Sequence, residues 1–248
     1  MAKKCGARVR IVSVVANEEY ESFGEQLLKK EMDAARRHLD RAAAEAAEAG
    51  VACETHAVQA SEIDQELAHE AERMQADLII MGRRGRRGLA RLMLGDVTFN
   101  VIGHARCSVL VVPRAAELSG RHFVVASDGS RFGDAAAAAA GNLAKLCHTP
   151  VTTVSVTQPS LSAERREEAQ RTVNRVVAFL KREGIEAQGE ILHGRPDDMI
   201  VQAAQRADAD LIVMGSHGRT GLERVLLGST TERVINLTST AVLVVNSA

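Results

Sequence analysis

The stretch DLIVMGSHGRTGLERVLLGS, residues 210–229, combines signals for a strand, a loop and the start of a helix. Asp210 to Met214 is a short apolar run with a charged first residue, which is typical of a strand covered on both faces. Gly215 and Gly218 follow directly, and glycine permits positive φ and lets a ligand approach the backbone closely. The stretch therefore predicts a buried strand that leads into a binding loop.

The end of the same stretch is typical of a phosphate site. Gly228 and Ser229 precede an amphipathic run, and hydroxyls and exposed N–H groups at a helix start favour a phosphate. The spacing G-x2-G-x9-G-S resembles the nucleotide-binding signature of the universal stress protein family. In the ATP-binding members of that family, the amides and hydroxyl of this motif hold ribose and phosphates. The alternative is a strand-to-helix turn without a ligand, since some family members keep the fold and bind no nucleotide.

A second part of the site is predicted at Asp128, which follows the strand 121–127. In an open α/β sheet, ligands bind beyond the carboxyl ends of the strands, where the strand order reverses. The family marks this place with V-A-x-D-G-S, although Asp128 could also serve as an N-cap or Asx-turn residue. The resemblance implies an ATP site, with Mg²⁺ carried by the triphosphate, that is formed by Ala126, Asp128, Val156, Met214, Gly215, His217, Gly218, Gly228, Ser229 and Thr230.

His217 lies between the two close glycines, where it contacts a ribose or phosphate or is simply a solvated loop residue. No side chain is positioned as a general base or nucleophile, so turnover is not supported. No His/Asp/Glu cluster has metal-ligand spacing. The resemblance implies nucleotide-dependent regulation in stress response. The alternatives are a slow ATPase or phosphotransfer enzyme and a nucleotide-free interaction scaffold.

Composition restricts the class of protein further. Hydrophobic residues make up 46% of the 248 residues, but aromatic residues only 2%, so the core must be Ala, Val, Leu and Ile. This favours a helix-covered parallel sheet. The net charge of -1 argues against nucleic acid and anionic membranes as partners. We found no apolar run of about 18 residues and no signal-peptide pattern, which predicts a cytoplasmic protein. The four cysteines are scattered and are interpreted as free thiols.

The chain contains an internal repeat. Residues 77–112 align without gaps on 210–245, with 19 identities in 36 positions. Each repeat alternates strand and helix signals. We therefore predict two tandem, open, parallel sheets of the five-stranded type flanked by helices, with a Rossmann-like topology. The first repeat is assigned to 1–113, the linker to 114–120 and the second repeat to 121–248.

The first repeat departs from the motif. Gly82, Gly85 and Gly95 keep the spacing, but Asp96 replaces the serine, and a carboxylate at a helix start repels phosphate. No counterpart of Asp128 is present, so no ATP is expected there. The basic loop, with arginines at 83, 84, 86, 87 and 91, is interpreted as a solvated loop or, alternatively, as a site for an anionic partner.

Residues 121–142 have no counterpart in the first repeat, which therefore lacks its opening strand and most of its first helix. Either the chain begins late, which we prefer, or another segment completes this half. The closing strands are short, apolar edge strands that need a partner. The resemblance implies that Val109–Val112 and Val242–Val245 pair within the chain. A homodimer is a further alternative.

Overall fold

The computed structural model describes residues 6–16, 24–83, 94–158, 162–219 and 227–246. The chain divides into two compact units, Met1–Glu70 and Ala71–Ala248. None of the helices in the described ranges is long and apolar enough to cross a membrane.

The first unit is built around two parallel strands. Val9 pairs with Cys53 and Ala16 with Ala60, and the long helix between the strands makes the crossover that parallel pairing requires. Its core includes Val15, Ala35 and Leu39. The elements are β1 (Val9–Ala16), α1 (Gly24–Glu48), β2 (Cys53–Ala60) and α2 (Ile63–Arg73), whose last turn belongs to the second unit.

The second unit contains the remaining strands and helices of the described chain. The strands predicted at 121–127 and at 210–214 are observed at Phe123–Ala126 and Leu211–Gly215. The elements are β3 (Leu78–Gly82), α3 (Asp96–His104), β4 (Ser108–Val112), β5 (Phe123–Ala126), α4 (Arg131–Cys147), β6 (Val151–Thr157), α5 (Ala163–Arg182), β7 (Ala187–His193), α6 (Pro196–Arg206), β8 (Leu211–Gly215), α7 (Ser229–Leu237) and β9 (Ala241–Val245).

These strands form one seven-stranded sheet in the order β3-β4-β9-β8-β5-β6-β7. All neighbours are parallel except β4 and β9, which run antiparallel. Leu110 pairs with Leu243, flanked by pairs 109–244 and 111–242, so the predicted pairing of the two closing strands is confirmed. Both strands are largely buried, which removes the two apolar edges that the sequence left without partners.

The α/β fold with a mostly parallel sheet is confirmed. The five strands of the second repeat, β5 to β9, are neighbours in one sheet, and β3 and β4 extend that sheet through the predicted pairing of β4 with β9. In the second repeat, β5 pairs with both β6 and β8 and thereby joins the two halves of the sheet. Among the described residues of the first repeat, no strand takes the equivalent place. Its strands therefore form two separate pairs, β1–β2 and β3–β4, and the second pair extends the sheet of the second repeat.

The repeats also exchange contacts at the ends of their last helices. The Arg83 guanidinium donates to three carbonyl oxygens at the end of α7, at distances of 3.1, 3.3 and 2.8 Å. The Asn246 amide donates to three carbonyl oxygens around the end of α3, at 3.2, 2.8 and 3.2 Å. Donors there satisfy carbonyls that have no partner within the helix. The acceptors are Ile235, Asn236 and Thr238 for Arg83, and Ile102, Ala105 and Cys107 for Asn246.

The start of β5 is held by the buried side chain of Asp210, at the start of β8. Its Oδ2 atom accepts hydrogen bonds from the Ser119 amide (2.7 Å) and hydroxyl (2.9 Å) and from the amides of Gly120 (2.6 Å) and Arg121 (3.1 Å). Burial alone would raise the pKa of this carboxyl, but the hydrogen bonds outweigh it and the pKa lies below its usual range. The charged first residue of the strand is therefore a fixed anchor for the strand that carries Asp128.

Candidate functional site

A pocket of about 480 Å³ lies at the carboxyl ends of the central strands of the second unit. From β5 the chain runs outward to β6 and β7, then returns to β8 and β9 on the other side. The strand order thus reverses between β5 and β8, where open α/β sheets bind ligands. All ten residues predicted from the sequence line this pocket: Ala126, Asp128, Val156, Met214, Gly215, His217, Gly218, Gly228, Ser229 and Thr230.

The two central strands bring the two motifs together. Ala126 pairs with Met214 in the parallel register, so the residues that follow each strand emerge side by side. The Asp128 Oδ1 atom accepts from the Ser130 amide at 3.0 Å, and its Oδ2 atom accepts from the Arg219 amide at 2.9 Å. The first contact is the Asx turn that we considered. The N-cap of α4 is instead Ser130, whose hydroxyl accepts from the Gly133 amide.

Two glycines of the loop between β8 and α7 lie very close to neighbouring atoms. A Cβ atom at Gly218 would lie 2.8 Å from the Asp128 carboxylate. A Cβ atom at Gly228 would lie 3.0 Å from the Ser216 carbonyl oxygen. That carbonyl also accepts from the Gly228 amide at 2.8 Å, which closes the loop at its base. Hence the spacing of the glycines reflects a loop whose two ends meet.

The N-terminus of α7 faces this pocket through Ser229 and Thr230. Its N-cap is Gly228, which makes no side-chain cap hydrogen bond. The first amides of a helix have no partner within the helix, and the dipole makes this end positive. Thr231 fixes the helix in place, because its buried hydroxyl donates to the Gly215 carbonyl at 2.9 Å. This end of the pocket can therefore accept an anion.

His217 forms part of the wall and is half-buried. Its ring centroid lies 5.2 Å from that of Phe132 on α4, and its Nδ1 atom is 3.2 Å from the Ser216 hydroxyl. Packing against an aromatic ring orients the imidazole, so His217 is more constrained than the solvated loop residue of our alternative interpretation.

Our sequence reasoning missed twelve of the residues that line this pocket. Thr157 and Gln158 could have been found, since they lie at the carboxyl end of β6 as Asp128 follows β5. The residues on α5 and α6 carry no such signal, because their position depends on how the helices pack. The additional lining residues are Ser127, Gly133, Val154, Ser155, Thr157, Gln158, Arg165, Ala169, Pro196, Ile200, Arg219 and Thr231.

The first repeat keeps part of the same geometry. The Thr98 hydroxyl donates to the Gly82 carbonyl at 3.0 Å, and the Gly95 amide donates to the Arg83 carbonyl at 3.0 Å. These bonds are the counterparts of those made by Thr231 and Gly228. Asp96 is exposed at the start of α3. Gly85 and the arginines at 84, 86, 87 and 91 lie outside the described residues, and the absence of ATP binding in this repeat stays a prediction.

The fold and the pocket together define an open, mostly parallel α/β protein with a pocket where its strand order reverses. A sequence model described as the universal stress protein family matches residues 1–113 and 120–246, so the chain belongs to the universal stress protein family. The domain boundaries that we predicted resemble these ranges and remain a proposal.

Individual relatives support the family and the fold. Universal stress protein MJ0531 of Methanocaldococcus jannaschii is 37% identical over 138 residues, which is 50% of this chain and 81% of the relative. Universal stress protein Rv2005c of Mycobacterium tuberculosis is 28% identical over 189 residues, 68% of this chain and 62% of the relative. The crystal structure of a universal stress protein from Archaeoglobus fulgidus matches with a TM-score of 0.77 and 21% identity, covering 99% of this chain and 88% of that one.

Proposed function

We propose that the second repeat binds ATP and that the protein acts as a nucleotide-dependent regulator in stress response. The observation that carries this proposal is the convergence of the Asp128 turn, the glycine loop and the N-terminus of α7 on one pocket. A carboxylate beside the strand ends suits a ribose hydroxyl, while uncapped amides suit phosphate.

Different residues of the pocket would contact the base, the ribose and the phosphates of the nucleotide. Ala126, Val156 and Met214 supply apolar surface for a base, and Asp128 supplies an acceptor for the ribose side. Ser229 and Thr230 supply donors to phosphate oxygens. Mg²⁺, when present, would be held mainly by the triphosphate and water, as that ion prefers oxygen ligands and retains several waters.

The proposed fit of a phosphate at the start of α7 depends on Gly228, where the loop closes. Gly228 has φ -67° and ψ 138°, a conformation open to any residue, so substitution there tests space and charge rather than backbone strain. Gly95 is the matched position of the first repeat, an N-cap with φ -75° and ψ 145°. The pair Gly228→Asp and Gly95→Asp therefore places the same new carboxylate at equivalent helix starts.

The test measures bound and added nucleotide on the full chain. We expect the denatured wild-type protein to release about one adenine nucleotide, or the purified protein to bind one Mg²⁺–ATP by calorimetry. Gly228→Asp should abolish binding, because its carboxylate repels phosphate at the α7 terminus, whereas Gly95→Asp should bind like the wild type. Failure of the wild-type protein to bind would refute the proposal and favour the scaffold alternative.

The same samples show whether the protein only binds ATP or also hydrolyses it. The ratio of ATP to ADP is followed over hours in the wild-type protein and in Gly228→Asp. A regulatory binder holds its ATP, whereas steady turnover that Gly228→Asp abolishes would support the ATPase alternative.

A further inference from the structure

Arg219 lies at the edge of the pocket and connects three elements of the second unit. Its amide donates to Asp128 Oδ2 at 2.9 Å, and its Nε atom donates to the Asp128 carbonyl. Its Nη1 atom lies 2.7 Å from Glu168 Oε2 on α5. The guanidinium passes over the β5–α4 turn, since a Cβ atom at Gly129 would lie 3.1 Å from Arg219 Nη2. One side chain therefore joins the glycine loop to the turn and to α5.

The elements joined by this side chain are also walls of the pocket. The loop contributes Gly218 and Arg219, and α5 contributes Arg165 and Ala169. Glu168 is shared between the two arginines, since Arg165 Nη1 lies 3.8 Å from the same Oε2 atom. A widening of the pocket between the loop and α5 must stretch the contact between Arg219 and Glu168.

We propose that the Arg219–Glu168 ion pair is a latch that opens each time a nucleotide enters or leaves the pocket. This inference rests on the proposed function of the same site. In the structure the guanidinium is bound to protein acceptors, the Asp128 carbonyl and the Glu168 carboxylate. The latch therefore holds the walls together without needing contact with the ligand, and it sets the rate of exchange rather than the affinity.

The exposure of the pair limits the size of the effect. The side chains are 26% (Arg219) and 46% (Glu168) exposed, so water screens their attraction. Exposed pairs of this kind correspond to changes of about twofold to fivefold in an equilibrium constant. Glu168→Gln keeps the shape of the side chain and removes its charge, so it should speed both association and dissociation about twofold to fivefold, with Kd unchanged within about twofold.

A matched control is available in a second ion pair that also involves α5. Arg175 on α5 pairs with Asp134 on α4 through contacts of 2.9 and 2.6 Å, and neither residue lines the pocket. Asp134→Asn removes one negative charge at a carboxylate whose exposure, 42%, is close to the 46% of Glu168. It should leave both exchange rates at the wild-type values, which separates the latch from a general loosening of the helix packing.

The experiment uses stopped-flow fluorescence of a labelled adenine nucleotide with the full chain, in low and high salt. Glu168→Gln should accelerate both rates, and added salt should accelerate exchange more in the wild type than in this variant. Hydrogen exchange of the Arg219 amide should also become faster in Glu168→Gln, because its loop is less restrained.

Each other outcome has a definite meaning. Unchanged rates in Glu168→Gln, with nucleotide binding intact, would overturn the latch and leave the proposed function standing. Faster dissociation alone, with weaker binding, would assign Arg219 a direct hold on the ligand and also overturn the latch. An equal acceleration of nucleotide exchange in Asp134→Asn would also overturn the latch. Absence of nucleotide binding in the wild-type protein would overturn the proposed function, and the latch with it.

Discussion

Replacement of Asp210 by asparagine tests whether one buried carboxylate holds the central strand in place. Four hydrogen bonds converge on its Oδ2 atom at 2.6 to 3.1 Å, and the His122 amide lies 3.5 Å from Oδ1. Asparagine keeps one acceptor oxygen but removes the charge, and it turns an NH₂ group toward the His122 amide. The resulting change in stability does not depend on a bound nucleotide.

The expected loss follows from the difference between charged and neutral acceptors. Hydrogen bonds to a charged group contribute about 1.5–3 kcal/mol, against about 1 kcal/mol for neutral pairs. If each of the four hydrogen bonds to Oδ2 is weakened by roughly 0.5–1 kcal/mol, Asp210→Asn should reduce the free energy of unfolding by about 3 kcal/mol. For a domain of this size, that corresponds to a fall in Tm of about 6–12 °C.

The assay is urea denaturation at neutral pH, with Asp208→Asn as the control. Asp208 lies two residues away, and its side chain is 82% exposed and 3.5 Å from Arg121. Its loss should change stability by less than about 1 kcal/mol. If Asp210→Asn costs less than about 1 kcal/mol, or no more than Asp208→Asn, the carboxylate does not anchor residues 119–122 and the reasoning is refuted.

The pH dependence of the free energy of unfolding is a second, independent test of the role of Asp210. The pKa of Asp210 is lowered in the folded protein, so its contribution to stability is fully present above the unfolded-state pKa of about 3.9. That contribution is lost as the pH falls through the folded-state pKa. The stability gap between wild type and Asp210→Asn should thus be constant from pH 7 to about pH 5 and shrink in more acid solution. A gap that widens on acidification would contradict this assignment.

Two further predictions concern the packing around the site and the contact between the repeats. Gly215→Ala places a Cβ atom 2.6 Å from Phe132 Cβ and 2.9 Å from the Phe132 carbonyl oxygen. Thermal denaturation should therefore show that the free energy of unfolding falls by about 1–3 kcal/mol. Gly82→Ala, at the exposed counterpart in the first repeat, should cause a smaller loss. Asn246→Asp turns a carboxylate toward three carbonyl oxygens, so urea denaturation should show that the free energy of unfolding falls by at least about 1 kcal/mol at pH 7. The loss should be smaller near pH 3, where the protonated acid can donate a hydrogen bond. Equal stability of the variant and the wild type at pH 7 would show that the amide does not act as this donor.

The elements of the fold were predictable because their signals are local. Continuous apolar runs such as 241–245 have the length and composition of buried parallel strands, and Gly50 ends a long helix. The pairing of the closing strands followed from the need to cover two apolar edges. The grouping into sheets was not local, because it depends on whether a β5-like strand is available to join β6-like and β8-like neighbours. The lack of a counterpart to residues 121–142 indicated that the first repeat misses this strand, but not that its remaining strands would form two separate pairs.

The candidate site was predictable to the extent that it follows strand ends. Asp128 and Gly215 lie next to paired residues of adjacent strands, so both reach the same edge of the sheet. Arg165 and Arg219 were missed for different reasons. Arg165 reaches the pocket through the packing of α5, and the role of Arg219 depends on a side-chain path to Glu168 that spacing does not indicate.

Comparison of the two repeats shows which parts make the pocket. Both close the loop before their last helix by the same backbone hydrogen bond, at Gly95 and at Gly228, so this closure does not distinguish the two repeats. In the second repeat, β5 adds a strand end with Asp128 beside that loop, and the carboxylate accepts a hydrogen bond from the loop itself. The described part of the first repeat has no such strand. The site therefore depends on β5, and hence on the Asp210 anchor at its start, as much as on the glycine motif.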